Sequence, residues 1–79
     1  MSEHLVDARG HRCPVPSLQL RKAMEGLEPG VRITLLATDP MARIDVPYLM
    51  ADLGGTVCDV KEQDGILTIT VETGAVLTD

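Results

Sequence analysis

The residues best suited to chemistry are gathered around Cys13, which is followed by Pro14, Val15 and Pro16. A proline suits the first position of a helix, because its missing N–H would have no partner there. Cys13 is therefore predicted to stand just before a helix, with its sulfur near unpaired backbone N–H groups and the positive end of the helix dipole. This position favours the thiolate, which is the nucleophilic form of cysteine.

Positive charge surrounds this cysteine, although the formal net charge of the chain is -5. No Asp or Glu occurs between Ala8 and Met24, but four of the seven Lys and Arg residues do, and we call them the basic stripe: Arg9, Arg12, Arg21 and Lys22. His11 can add a further cation. Neighbouring cations and helix N-termini lower a cysteine pKa from near 8.5 to about 3.5 to 7.5. The alternative is an ordinary solvated helix face.

Cys58 provides a comparison, because it shares strand parity with the apolar Val60. We therefore expect its side chain to point at the core or to lie beneath a hairpin, in an inert packing role. The two cysteines do not form a Cys-x-x-Cys redox pair. No zinc-binding spacing is recognised among His4, His11, Cys13 and Cys58. The sequence predicts no metal site and no cofactor.

Length and composition limit the classes of function. A chain of 79 residues predicts one domain, residues 1–79, with a thin core. Tyr48 is the only aromatic residue among Phe, Tyr and Trp. The chain thus lacks aromatic side chains for stacking bases, and its negative charge disfavours binding to a phosphate backbone. We expect no direct nucleic-acid partner.

The sequence also bears on location. The residues before Arg9 include acids and lack the apolar stretch of a signal peptide. No segment approaches the roughly 18 apolar residues of a membrane span. We expect a cytoplasmic protein with reduced thiols and no membrane partner.

The pattern along the chain predicts a strand at residues 4–7, a loop at 9–12 and a helix at 14–27. The helix would bury an apolar stripe made of Leu20, Ala23, Met24 and Leu27. The segment Glu28-Pro29-Gly30 is predicted to end it. Residues 31–38 are predicted to be a central strand, because apolar residues occur on both of its faces.

A second helix is predicted after this strand. Asp39 would be its N-cap and Pro40 its first residue. Pro47 is expected to interrupt the helix early, and Asp45 can cap a second start. The result would be a bent helix that ends at Gly54-Gly55.

Residues 56–62 and 66–72 flank an Asp64-Gly65 pair, which indicates an antiparallel hairpin. Each helix has one apolar stripe, so both should cover one face of a single four-stranded sheet. The sequence therefore predicts an α+β two-layer sandwich of order β-α-β-α-β-β. The other face of the sheet would carry Asp59, Lys61, Thr68, Thr70 and Glu72 and would face water.

The sequence resembles the TusA/SirA-like sulfur carriers. The matching segments are residues 6–16, 20–22, 29–30, 37–40 and 45–47. They cover nearly the whole chain. The Cys-Pro-x-Pro motif at a strand-loop-helix junction is specific when Asp-Pro and Asp-x-Pro follow at these spacings. The resemblance implies the same two-layer sandwich, with a mixed sheet and both helices on one face.

By this resemblance, Cys13 accepts sulfane sulfur as a persulfide from a cysteine desulfurase or a rhodanese-type donor. The acceptor would be a protein such as a DsrE-like or tRNA-thiolation protein. The pathway would be tRNA thiolation, molybdenum-cofactor assembly or sulfur oxidation. Such a protein is a sulfurtransferase component rather than a stand-alone catalyst. Val15 and His11 depart from residues frequent in the family, which concerns the choice of partner more than the chemistry.

Eight further residues are candidates for supporting Cys13 or for docking partners: Arg9, Gly10, His11, Arg12, Pro14, Pro16, Arg21 and Lys22. The main alternative function is a regulatory or protein-binding module in which Cys13 is structural. A thiol redox protein is a third interpretation. Intact mass after incubation with a desulfurase and cysteine distinguishes a carrier from a binding module, because only a carrier gains sulfur.

Overall fold

The computed structural model describes residues 4–12 and 15–74. The elements are β1 (His4–Ala8), α1 (Val15–Met24), β2 (Arg32–Ala37), α2 (Ala42–Leu53), β3 (Thr56–Gln63) and β4 (Ile66–Glu72). The strands form one sheet of order β1-β2-β4-β3, in which β1 is parallel to β2 and the other neighbours are antiparallel. The predicted two-layer α+β sandwich is confirmed. Neither helix within these two ranges is long and apolar enough to cross a membrane.

The core lies between the helices and the two central strands, β2 and β4. Alternate residues of these strands face each other across the sheet and are buried: Ile33, Leu35 and Ala37 on β2, and Leu67, Ile69 and Val71 on β4. The helices cover them with Leu20 and Met24 of α1 and with Val46 and Met50 of α2. Alternation along the strands and the 3.6-residue period of the helices thus meet in one aliphatic core.

The opposite face of the sheet is open, as predicted. Thr68, Thr70 and Glu72 are half-buried there. On β3, the Nζ atom of Lys61 lies 3.7 Å from a carboxylate oxygen of Asp59, and both side chains are exposed. A water-facing sheet surface of this kind is usual for antiparallel sheets.

The prediction that Cys58 points at the core is wrong. Val57 and Asp59 pair with consecutive residues of β4, so Cys58 is the extra residue of a β-bulge. A bulge shifts the inward and outward alternation by one residue, which puts Val57 and Val60 opposite core residues of β4. Cys58 is exposed, and its Sγ lies 3.9 Å from Oε1 of Glu72.

Helix α1 is shorter than predicted. It ends at Met24 rather than at residue 27. Gly26 has a φ of 80°, a left-handed conformation that stops the helix before the Glu28-Pro29-Gly30 segment. The prediction that Pro14 begins the helix lies outside the described residues.

Helix α2 begins later than predicted, at Ala42. Asp39 is not its N-cap, because Met41 holds that position without a side-chain bond. Instead, Asp39 closes a turn before the helix by accepting the Met41 N–H on its carboxylate at 3.0 Å. The predicted second start at Asp45 is also wrong, because one helix runs through Pro47, which lies on an exposed side where water can reach the affected carbonyl.

The two predicted chain reversals at glycines are confirmed. Helix α2 ends at Gly54, which has a φ of 77° and donates its N–H to the carbonyl oxygen of Met50. The hairpin between β3 and β4 turns at Asp64 and Gly65, with φ values of 54° and 78°. Two consecutive left-handed residues give the type I′ turn that suits the twist of a hairpin.

A close backbone contact joins the end of α2 to the end of β4. A Cβ atom at Gly74 would overlap the carbonyl oxygen of Gly54. We predict that Gly74→Ala lowers the free energy of unfolding by about 3 kcal/mol, because the backbone would have to shift. Urea denaturation measures this loss. The control is Gly26→Ala, where φ is positive but no atom lies within 4 Å, and there we expect a loss of about 1 to 2 kcal/mol. Equal losses in the two variants would contradict the contact.

Candidate functional site

The parallel pairing of β1 and β2 positions the segment that precedes Cys13. Because the two strands are parallel, the loop after β1 and the turn after β2 meet at the same edge of the sheet. A surface depression of about 330 Å³ lies between them, lined by Gly10, His11 and Arg12 from the loop and by Thr38, Asp39 and Pro40 from the turn. The carboxyl edge of parallel strands is a common place for binding sites in α/β sheets.

Two hydrogen bonds hold the loop at this edge. The Gly10 N–H donates to Oγ1 of Thr38 at 2.9 Å. The His11 N–H donates to the carbonyl oxygen of Ala8 at 3.2 Å. Gly10 has a φ of 84°, which a residue with a Cβ adopts only with strain. Sequence reasoning missed Thr38, and the available signal was a hydroxyl residue at the end of a strand expected to neighbour β1.

Arg9 is bound to Asp7. The Arg9 Nε donates to Asp7 Oδ1 at 2.9 Å, the guanidinium Nη2 donates to Oδ2 at 2.8 Å, and the backbone N–H of Arg9 donates to Oδ1 at 3.1 Å. These hydrogen bonds lower the pKa of Asp7 from 3.8 to about 2, and the pKa of Arg9 is raised by the same partner. The positive charge of Arg9 is therefore compensated locally, which the basic stripe in the sequence did not indicate.

The remaining candidates differ in their exposure. His11, Arg12, Arg21 and Lys22 are exposed, whereas Pro16 is fully buried in the core. No ion pair joins Arg12, Arg21 or Lys22 to another residue of the described ranges. The carbonyl oxygen of Arg12 accepts the Val15 N–H at 2.9 Å, which closes the turn that leads into α1.

Cys13 and Pro14 themselves lie outside the described residues. The structure thus brings together Gly10, His11 and Arg12 with the turn after β2, and it puts Arg21 and Lys22 farther along α1. In residues 4–12 and 15–74, no three His, Cys, Asp or Glu side chains are grouped as metal ligands. The arrangement suits a reactive group carried on a loop and approached from solvent.

The contact between Asp7 and Arg9 predicts a pH dependence. Because the pKa of Asp7 is lowered in the folded chain, the contact should stabilise the fold above about pH 3.8 and lose this effect as pH falls toward about 2. In Arg9→Ala, the Asp7 carboxyl should titrate near 3.8 instead of near 2. Carboxyl ¹³C NMR titration measures both values. An unchanged Asp7 titration in the variant would contradict the hydrogen-bonded pair.

Comparison with known proteins gives consistent matches. The family model described as sulfurtransferase TusA matches residues 4–73. A putative sulfur carrier protein of Archaeoglobus fulgidus is 41% identical over 68 residues, covering 85% of this chain and 88% of that protein. The sulfur carrier protein TusA of Pseudomonas aeruginosa is 34% identical over 61 residues, covering 77% of each chain.

The fold agrees with these matches. The crystal structure of a SirA-like protein from Desulfitobacterium hafniense superposes with a TM-score of 0.79 at 26% identity, covering 94% of this chain and all of that one. With family model, relatives and fold in agreement, the chain belongs to the TusA/SirA-like family, and its role is that of a sulfur carrier.

Proposed function

We propose that the protein carries sulfane sulfur as a persulfide on Cys13, between a donor protein and an acceptor protein. The observation that supports this most is the open depression at the sheet edge, which is lined by the residues just before Cys13, namely Gly10, His11 and Arg12. A carried sulfur atom must be reached by two different proteins in turn. The hydrogen bond to Thr38 holds the loop in place, and the loop is still open to solvent, so both proteins can reach it.

The chemistry we propose is exchange between sulfur atoms. The Cys13 thiolate attacks the terminal sulfur of a persulfide on the donor cysteine. A new S–S bond forms on Cys13 while the donor S–S bond breaks, and the donor cysteine leaves as its thiolate. The thiolate of the acceptor cysteine then attacks the terminal sulfur of the Cys13 persulfide, and Cys13 leaves as its thiolate. The two exchanges balance without an external oxidant or reductant.

The charges near the loop support a reactive thiolate. Arg12 adjoins Cys13 in the chain, is exposed and has no ion-pair partner in the part of the chain that the structure describes. Arg9 is engaged by Asp7, so we assign Arg12 as the cation that acts on the thiol. Together with the start of α1, this cation would lower the pKa of Cys13.

The donor and the acceptor belong to the same proposal. We take the donor to be a cysteine desulfurase or a rhodanese-type protein, and the acceptor to be a DsrE-like or tRNA-thiolation protein. The pathway is then tRNA thiolation, molybdenum-cofactor assembly or sulfur oxidation, in the cytoplasm. Co-purification with the tagged protein identifies which of these partners is present.

The first test compares the two cysteines. Cys13→Ser should abolish the gain of one sulfur atom after incubation with desulfurase and cysteine, measured by intact mass. Stability should change little, because the substitution replaces one sulfur atom by an oxygen atom at a position that precedes the first residue of α1, Val15. Cys58→Ser is the matched control, which should load normally and change the free energy of unfolding by less than about 0.5 kcal/mol, because Cys58 is exposed.

Two results would contradict the assignment. Sulfur loading of Cys13→Ser would show that another residue carries the sulfur. Wild-type protein that gains no sulfur from desulfurase, rhodanese or polysulfide would favour the regulatory module instead.

The second test concerns the free cations of the basic stripe. Arg12→Glu with Lys22→Glu should slow loading from a desulfurase about tenfold at low salt, and the difference should shrink at high salt, because charge-steered association is screened. The control is Arg32→Glu with Lys61→Glu, which makes the same change in net charge elsewhere on the surface. Equal rates in the two double variants would mean that the basic stripe is ordinary solvated surface.

A further inference from the structure

Both helices expose apolar side chains that the core does not use. We call these residues the apolar patch: Val15 and Leu18 of α1, and Met41, Ile44 and Tyr48 at the start of and along α2. We propose that the apolar patch is the surface on which the sulfur-donor protein docks, and that this partner has an apolar centre bordered by acidic groups. This inference rests on the proposed carrier function.

The α2 part of the apolar patch is a regular stripe. Met41, Ile44 and Tyr48 are spaced by three and four residues, which puts them on one side of the helix. The same helix buries Ala42, Val46 and Met50 on its other side. A helix normally presents polar residues to water opposite its core face. The second apolar stripe therefore has no role in the packing of this chain.

The stripe faces solvent, on the side of α2 away from β3. Arg43 donates to Glu62 of β3 at 3.1 Å, which fixes the side of α2 that faces this edge strand. Successive residues turn by about 100° around a helix, so Tyr48 lies on the side away from Arg43. Helix α1 packs on β1 and β2 while α2 packs on β4 and β3, so α1 lies on the side of α2 away from β3. Helix α1 exposes Val15 and Leu18, which are three residues apart.

The apolar patch also adjoins the candidate site. Met41 directly follows Pro40, which lines the depression at the sheet edge. The side chain of Val15 is exposed and is not part of the core. Its backbone N–H closes the turn that begins at Arg12. Both helices start at this edge, so a protein seated on the patch would lie beside the loop that carries Cys13.

Tyr48 is a second reason to assign this surface to binding. It is the only residue among Phe, Tyr and Trp in the chain, and it is 75% exposed. A thin core would gain from burying such a large side chain. Tyrosine is instead enriched among the residues that dominate binding energy at protein interfaces.

Charge indicates what kind of partner fits. On α1, the exposed Arg21 and Lys22 border the apolar patch and have no ion-pair partner in the described ranges. Acidic groups on the partner would pair with them. A second copy of this chain fits less well, because two molecules of net charge -5 repel each other. Five partly exposed side chains also suit a transient interface better than an obligate dimer.

The test is the affinity of the protein for the cysteine desulfurase and the rhodanese-type protein of the same organism. Binding is measured by calorimetry on the Cys13→Ser background, so that the result does not depend on sulfur transfer. Ile44→Ala with Tyr48→Ala should raise the Kd for the partner about tenfold or more. The control is Leu5→Ala, which removes a side chain that is 66% exposed on the open face of the sheet, and it should leave the Kd unchanged.

A second readout separates docking from chemistry. With Cys13 present, the double variant should load sulfur from inorganic polysulfide at the wild-type rate, because a small donor needs no docking surface. Failure of polysulfide to load wild-type Cys13 would count against the carrier proposal and would leave the affinity result standing.

Four results would overturn the apolar patch as the docking surface. The first two are an unchanged Kd in the double variant and an equal loss of affinity in Leu5→Ala. The third is that neither donor binds the wild type. The fourth is a wild-type dimer in sedimentation that the double variant converts to monomer. The last result would assign the patch to a second copy of the chain.

Discussion

The parallel pairing of β1 with β2 is the constraint on which the rest of the structure depends. A parallel pair needs a crossover, and here α1 supplies it. The pairing therefore fixes the direction of α1 and brings the loop after β1 against the turn after β2. The hydrogen bond from Gly10 to Thr38 follows from this arrangement. In an antiparallel pair, the same two segments would lie at opposite edges of the sheet.

Which of the cations near the site are neutralised depends on local contacts that the sequence alone does not show. Arg9 lies two residues after Asp7, close enough for its guanidinium to return to the carboxylate. An exposed pair of this kind contributes little to stability. The pair instead changes the electrostatic field around the loop, because it neutralises one of the four cations of the basic stripe. Of these four residues, Arg12 at the loop and Arg21 and Lys22 on α1 have no ion-pair partner in the described ranges.

The sequence was sufficient for the features that periodicity controls. Alternation in β2 and β4, the Asp64-Gly65 turn and the helical stripes predicted the layers and the hairpin correctly. The sequence was insufficient where one inserted residue shifts the inward and outward alternation of a strand, and where segments far apart in the chain come into contact. The bulge at Cys58 inserts a residue into β3, and no local pattern marks it. The bond to Thr38 joins positions 28 residues apart, so it depends on strand order. Cys13 was assigned from its motif, and that assignment stays a prediction.

The distribution of apolar surface separates what folding needs from what binding needs. The buried core is complete with aliphatic residues from both central strands and one stripe of each helix. Fully burying a large apolar side chain contributes about 1.5 to 3 kcal/mol, and the net stability of a domain is only about 5 to 15 kcal/mol. Leaving Leu18, Ile44 and Tyr48 exposed therefore withholds a sizeable stabilisation from the fold. The same free energy becomes available when a partner covers them. Because a carrier must also leave its partner, a small apolar patch beside the loop suits this role better than an extensive one.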